Sequence, residues 1–94
     1  MITCTIEFYG LSAELAGTKE IVLTLHGERA GMQELVRALK TRLPDLDGVV
    51  LKKDENLLAG DQAFNINGRF YSGKNEIVVH DGDMIRLLTA ATGG

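Results

Sequence analysis

Ninety-four residues with a net charge of −3 suffice for one domain and one core but leave too little chain for an enclosed active site beside it. Apolar residues make up 45% of the sequence and charged residues 24%, ordinary globular usage that excludes a disordered or fibrous chain. Lys and Arg are scattered, which argues against nucleic acid as a partner; no apolar run approaches the roughly 20 residues that cross a bilayer, and the start lacks a secretory signal, so the chain is expected to be cytoplasmic.

Ile2, Cys4, Ile6 and Phe8 alternate with Thr3, Thr5 and Glu7, the period of a half-buried strand. The stretch from Gly10 to Thr18 reads as a return. A second strand follows, with Ile21, Leu23 and Leu25 inward and Glu20, Val22 and Thr24 outward. From Met32 the period changes. Met32, Leu35, Val36, Leu39 and Leu43 recur at helical spacing, predicting one principal helix from Met32 to Leu43, with Gly31 before it and Pro44 ending it.

Val49-Val50-Leu51 reads as a short strand, and Lys52 to Asp61, with Asp54-Glu55-Asn56 and Gly60, as a mobile polar connection. Ala63 to Ile66 is a further strand, and Asn67-Gly68 supplies the positive φ angles of a tight hairpin turn into Arg69-Phe70-Tyr71. Of Phe70 and Tyr71, neighbours on opposite faces, one is expected to pack and the other to lie outside. Ile77-Val78-Val79 precedes the turn Asp81-Gly82-Asp83, and Met84 to Leu88 forms the last strand, Ile85 and Leu87 on one side and Arg86 and Leu88 on the other.

Two strands, a helix and several more strands predict an α+β domain in which one helix packs across a mixed sheet, the ubiquitin-like β-grasp. Residues 1–88 form its body, and 89–94 form a tail of small, uncharged residues, Thr89-Ala90-Ala91-Thr92-Gly93-Gly94. Cys4 lies in phase with Ile2 and Ile6, so it reads as a buried structural thiol. His26 and His80 adjoin turns and receive no role. Asp81 and Asp83 bracket a glycine, where turn chemistry accounts for them better than a calcium site does. No bound metal or cofactor is expected.

Phe8-Tyr9-Gly10-Leu11, Glu14-Leu15-Ala16-Gly17-Thr18, Glu34-Leu35, Asn65-Ile66-Asn67-Gly68, Asp81-Gly82-Asp83-Met84-Ile85 and the terminal Gly93-Gly94 occur in an order and spacing that resemble the MoaD/ThiS-like sulfur carriers, which include the small subunit of molybdopterin synthase. The chain departs from the family at Thr89-Ala90-Ala91-Thr92, where two prolines and a valine are frequent. The resemblance implies that an adenylyltransferase related to ubiquitin-activating enzymes uses ATP to adenylate the Gly94 carboxylate. A persulfide-bearing sulfurtransferase then supplies sulfur, and the thiocarboxylate delivers it to a pterin precursor held by the molybdopterin synthase large subunit. Carriers for thiamine or cysteine synthesis, and modifiers joined to target lysines through Gly94, would use the same tail.

The physics of the tail agrees with that expectation. Glycine lacks Cβ and lets a strand of backbone pass through a narrow channel, and six extended residues reach roughly 20 Å. Gly93 and Gly94 are therefore the expected reacting end. Arg86, Leu88, Thr89, Ala90, Ala91 and Thr92 are the expected docking surface for the activating partner, with Leu88 read as a contact residue rather than a core one. The chain needs no acid or base of its own, and acts as a protein cosubstrate or a synthase subunit.

Overall fold

The computed structural model describes residues 1–73 and 75–90. Strands β1 (Ile2–Phe8), β2 (Glu20–Leu25), β4 (Gln62–Ile66), β5 (Arg69–Ser72) and β7 (Met84–Thr89) form a five-stranded sheet in the order β2-β1-β7-β4-β5. β1 runs antiparallel to β2 and parallel to β7, and β4 runs antiparallel to both β7 and β5. The sheet is mixed, as the alternating patterns predict, and α2 (Met32–Arg42) is its principal helix. This is the ubiquitin-like β-grasp fold.

The two alternations explain the layers. Ile2, Cys4, Ile6 and Phe8 of β1, Ile21, Leu23 and Leu25 of β2, Phe64 and Ile66 of β4, and Ile85 and Leu87 of β7 are buried in one cluster with Met32, Leu35, Val36 and Leu39 of α2. Residues of the opposite phase form the outer face. α2 starts after Gly31, whose extended backbone turns the chain in, and ends at Arg42; Leu43 leaves the helical region just ahead of Pro44, which opens a 3-10 turn through Leu46. The residue before a proline is driven out of the α region, so the helix stops one residue earlier than its apolar spacing suggests.

Several local elements differ from expectation. Within the predicted return, Leu11–Ala16 is a short helix, α1, closed by Gly17 in the left-handed region at φ 71°. Six residues are too few to display a helical period; the chain adopts helix here because Ser12 anchors it. The buried Ser12 hydroxyl donates to Tyr9 O at 3.0 Å and lies 3.2 Å from Leu87 O, while Tyr9 N–H donates to Ser12 Oγ at 3.2 Å. Two-residue strands β3 (Arg29–Ala30) and β6 (Val79–His80) pair as a separate ribbon. Val49-Val50-Leu51 is not a strand. Amides 49, 50 and 51 all converge on the Leu46 carbonyl, and only isolated bridges join Leu51 to Asp47 and Leu58.

The connection from Lys52 to Asp61 is tied down, against the expected mobility. Leu58 is in the core, and Lys52 N–H and Ala59 N–H donate to Leu57 O and Val50 O. Lys40 Nζ reaches across from α2 to the carbonyls of Lys52 at 2.6 Å and Glu55 at 2.8 Å and to Asp47 at 3.4 Å. An ammonium group carries three donors, so one side chain holds several otherwise unpaired carbonyls. Gly73 passes close enough that a Cβ there would stand 2.5 Å from Leu58 O.

At the hairpin, Asn67 and Gly68 both have positive φ, 52° and 92°. Phe70 is exposed and Tyr71 packs on the core. The Asp81-Gly82-Asp83 turn clips β7 to β1: Thr3 N–H donates to Asp81 Oδ1 at 2.7 Å, Gly82 N–H to Thr3 O at 2.7 Å and Thr5 N–H to Asp83 O at 3.0 Å. Asp83 also accepts from His80 N–H and from Asn67 Nδ2. Both carboxylates thus serve the turn.

Two outcomes are expected from this packing. Leu35 is fully buried, and Leu35→Ala should cost about 2–5 kcal/mol, read from the urea midpoint. Cys4 is 1% exposed, and burial, aided by the Asp83 charge, pushes its thiol from an ordinary 9.0 up to about 11. The folded state holds that proton more tightly than the unfolded chain, so the thiol's contribution to stability is full below about 9 and is lost as pH rises toward about 11. Alkylation by iodoacetamide should therefore be slow in buffer and fast in denaturant; rapid alkylation of the native protein would place Cys4 at the surface.

Candidate functional site

Because β7 lies between β1 and β4, the chain leaves the body from the middle of the sheet instead of from an edge. The strand continues through Thr89, one residue beyond its expected end, in register with Gln62 of β4. Ala90 N–H then donates to Asp61 O at 2.8 Å. Thr89 and Ala90, expected in the tail, are thus held by the body. Ala91, Thr92, Gly93 and Gly94, with the reacting end expected there, lie outside the described residues.

Gln62 is the residue that the sequence reading missed. It is buried, and its Nε2 donates to Thr89 Oγ1 at 3.1 Å and to Asp61 Oδ1 at 3.3 Å, while Oε1 has no partner. An unsatisfied buried acceptor is costly, and this one lies at the root of the segment leading to Gly94. Its signal was available: Gln62 is two residues before Phe64 and four before Ile66, on the inward phase of the same strand. The expected strand began one residue too late to include it. On the other side of β7, Tyr9 N–H donates to Leu87 O at 3.1 Å, and Ser12 Oγ lies 3.2 Å from the same carbonyl. The end of the strand is gripped from both flanks.

Of the expected docking residues, Arg86 and Leu88 lie on the outer face, whereas Thr89 takes the inward phase, bonded to Gln62. Across β7 and its neighbours, Leu88 is in register with Ala63, Arg86 with Asn65 and Glu7, and Met84 with Thr5. Leu88 is half-buried and outside the core cluster. Arg86 is exposed, and its Nε donates to Glu7 Oε1 at 3.1 Å, a pairing within the chain that raises the guanidinium pKa above its ordinary value, with Tyr9 contributing. That ion pair is open to solvent and contributes little to stability. Phe70, Met84 and Val22, exposed at 65%, 40% and 53%, extend an apolar scatter over the same face. Among the described residues no group of three or more His, Cys, Asp and Glu side chains could hold a metal, and no helix is long and apolar enough to cross a membrane.

A ubiquitin-like β-grasp whose terminal segment leaves from a central strand defines the class of protein. No protein-family model and no curated protein sequence matches the chain. Solved structures do. It is similar to small archaeal modifier protein 1 from Methanosarcina acetivorans, at 28% identity over 100% of this chain and 98% of that one, with a TM-score of 0.73. It is also similar to SAMP1 from Haloferax volcanii, at 22% identity over 98% and 99% of the two chains, with a TM-score of 0.76. A Pyrococcus furiosus protein assigned as molybdopterin converting factor, subunit 1, matches at 20% identity over 97% and 100%, with a TM-score of 0.72. These neighbours belong to the MoaD/ThiS-like ubiquitin-like group that the motifs resemble.

The two phases of β7 make opposite predictions. Leu88→Asp should leave far-UV circular dichroism and the urea midpoint nearly unchanged, because Leu88 is outside the core. Leu87→Asp places a charge in the fully buried cluster and should prevent folding.

Proposed function

We propose that this chain is a sulfur carrier that works through a carboxylate on Gly94. The observation that carries the reading is the exit of the chain from the centre of the β-grasp sheet, toward a Gly-Gly pair, from a root held by Gln62, Asp61 and Ser12. A carboxylate is a poor electrophile. Attack of its oxygen on the α-phosphorus of ATP, with loss of pyrophosphate, forms an acyl-adenylate; the outer sulfur of a persulfide displaces AMP to give an acyl disulfide, and a second thiol then cleaves that S–S bond, leaving the thiocarboxylate and a disulfide. The catalyst is an adenylyltransferase related to ubiquitin-activating enzymes, and a persulfide-bearing sulfurtransferase provides the sulfur. The chain supplies a thin backbone for the partner's channel and a rigid body that docks through Arg86, Leu88 and the residues leading to Gly94.

The recipient that fits the motifs is a pterin precursor on the large subunit of molybdopterin synthase, and the structural match to a protein assigned as molybdopterin converting factor, subunit 1, supports that branch. A second reading has its own support in the match to small archaeal modifier proteins: the same activated carboxylate would acylate a lysine amine and form an isopeptide bond.

Incubation with a cognate adenylyltransferase, ATP, a persulfide-bearing sulfur donor and a reducing thiol should exchange one carboxylate oxygen for sulfur, read by intact-mass spectrometry. Deletion of Gly94 should abolish the exchange and leave the fold intact, since a glycine has no side chain to contribute to a core. Gly93→Val keeps the length and should slow activation by obstructing the channel. Lysine adducts bearing a Gly-Gly remnant would favour the modifier reading, and sulfur transfer at the native rate by the deletion variant would sink both.

A further inference from the structure

The sheet has one long free edge. β2 is its outermost strand on one side, and the ladder to β1 fixes which of its main-chain groups point outward. Phe8 N–H donates to Lys19 O at 2.8 Å, so in this antiparallel pair residues 19, 21, 23 and 25 bond to β1, and Glu20, Val22 and Thr24 direct N–H and C=O away from it. Two side chains confirm the phase by capping outward carbonyls: Thr18 Oγ1 donates to Glu20 O and Arg42 Nη1 to Val22 O, each at 3.3 Å. The main-chain groups of Thr24 and the Val22 N–H have no partner among the described residues. The opposite edge, β5, is four residues long, and Asn75 folds back to accept from Ser72 N–H.

Beside the β2 edge runs an open groove of about 650 Å³ between β2 and α2, with Leu23, Leu25 and Ala38 among its apolar lining. Its charge is opposite to that of the molecule. Arg37 and Arg42 line it against a single Glu34, in a chain of net charge −3, and neither arginine has a carboxylate partner among the described residues. Unpaired strand edges are commonly blocked by a charged side chain. Arg42 does so here through a single 3.3 Å bond from an exposed position, which an incoming strand can replace.

We propose that the β2 edge and the β2–α2 groove bind an extended acidic segment of a partner protein by strand addition. Main-chain bonds form at Val22 and Thr24, apolar side chains enter the groove, and Arg42 exchanges the Val22 carbonyl for a carboxylate of the segment, with Arg37 as the second cationic contact. A second copy of this chain is a poorer occupant, because edge-to-edge pairing would bring the two sets of arginines together. The site is independent of Gly94 and of sulfur transfer.

The test uses the full chain labelled with nitrogen-15 and a synthetic peptide in which valine alternates with threonine ahead of two glutamates. At saturation, hydrogen exchange at the Val22 and Thr24 amides should slow by about tenfold or more while Leu23, already paired to β1, is unchanged. The same peptide N-methylated at alternate positions, or ending in two lysines, should bind about tenfold more weakly or worse, and so should Arg42→Glu and Arg37→Glu chains with intact spectra; Arg29→Glu, outside the groove, should bind as the native chain does. The proposal is overturned by absence of shifts at millimolar peptide, by equal binding of the lysine peptide, by shifts centred on Leu88 and Phe70, or by the same protection arising from self-association without peptide.

Discussion

The hydrogen bonding of β7 on both of its sides is the constraint on which the rest depends. Pairing in parallel with β1 and antiparallel with β4 places the last strand in the sheet's interior. It obliges the chain to cross over between distant strands, and the crossover contains α2, which covers the inner face. The same pairing buries Ile85 and Leu87 completely and leaves Arg86 and Leu88 on the other face between residues from β1 and β4. The point from which the terminal segment departs is thereby fixed by two neighbouring strands, by Gln62 and by the amide of Ala90.

Legibility in the sequence followed the length of each periodic run. The alternation in β1, β2 and β7 and the helical spacing in α2 contain enough repeats to reveal both the element and its buried face, and Asn67-Gly68 carries its turn chemistry in two residues. α1, β3 and β6 are too short to show a period, and they exist because particular long-range bonds hold them, such as Ser12 to Leu87 and Arg29 opposite His80. Nothing in a one-dimensional pattern states that the first strand pairs with the last in parallel. The order of strands comes from the structure.

The candidate site divides along the same line. Gly93-Gly94 is legible in the sequence as a pair of residues without side chains, and the proposed chemistry rests on that residue type alone. The support beneath it was not visible. Gln62 hid because its strand was begun one residue late, and Lys40 because its partners are carbonyls, which every residue possesses. Val22 and Thr24 looked like ordinary outward positions; only the phase of the β1–β2 ladder makes their amides an unpaired edge.

The Asp81-Gly82-Asp83 clip has a consequence for how the chain comes to be folded. Thr3 and Asp81 are 78 positions apart, and loop-closure entropy makes such contacts late and slow to form. During synthesis, β1 and β2 can associate early, but their sheet has no middle until Met84 to Thr89 have been made. A chain interrupted before that point presents the apolar faces of β1 and α2 without the strand that closes them, and is a substrate for chaperones or proteases. Folding of the body therefore certifies that synthesis has reached the base of the segment that ends in the two glycines.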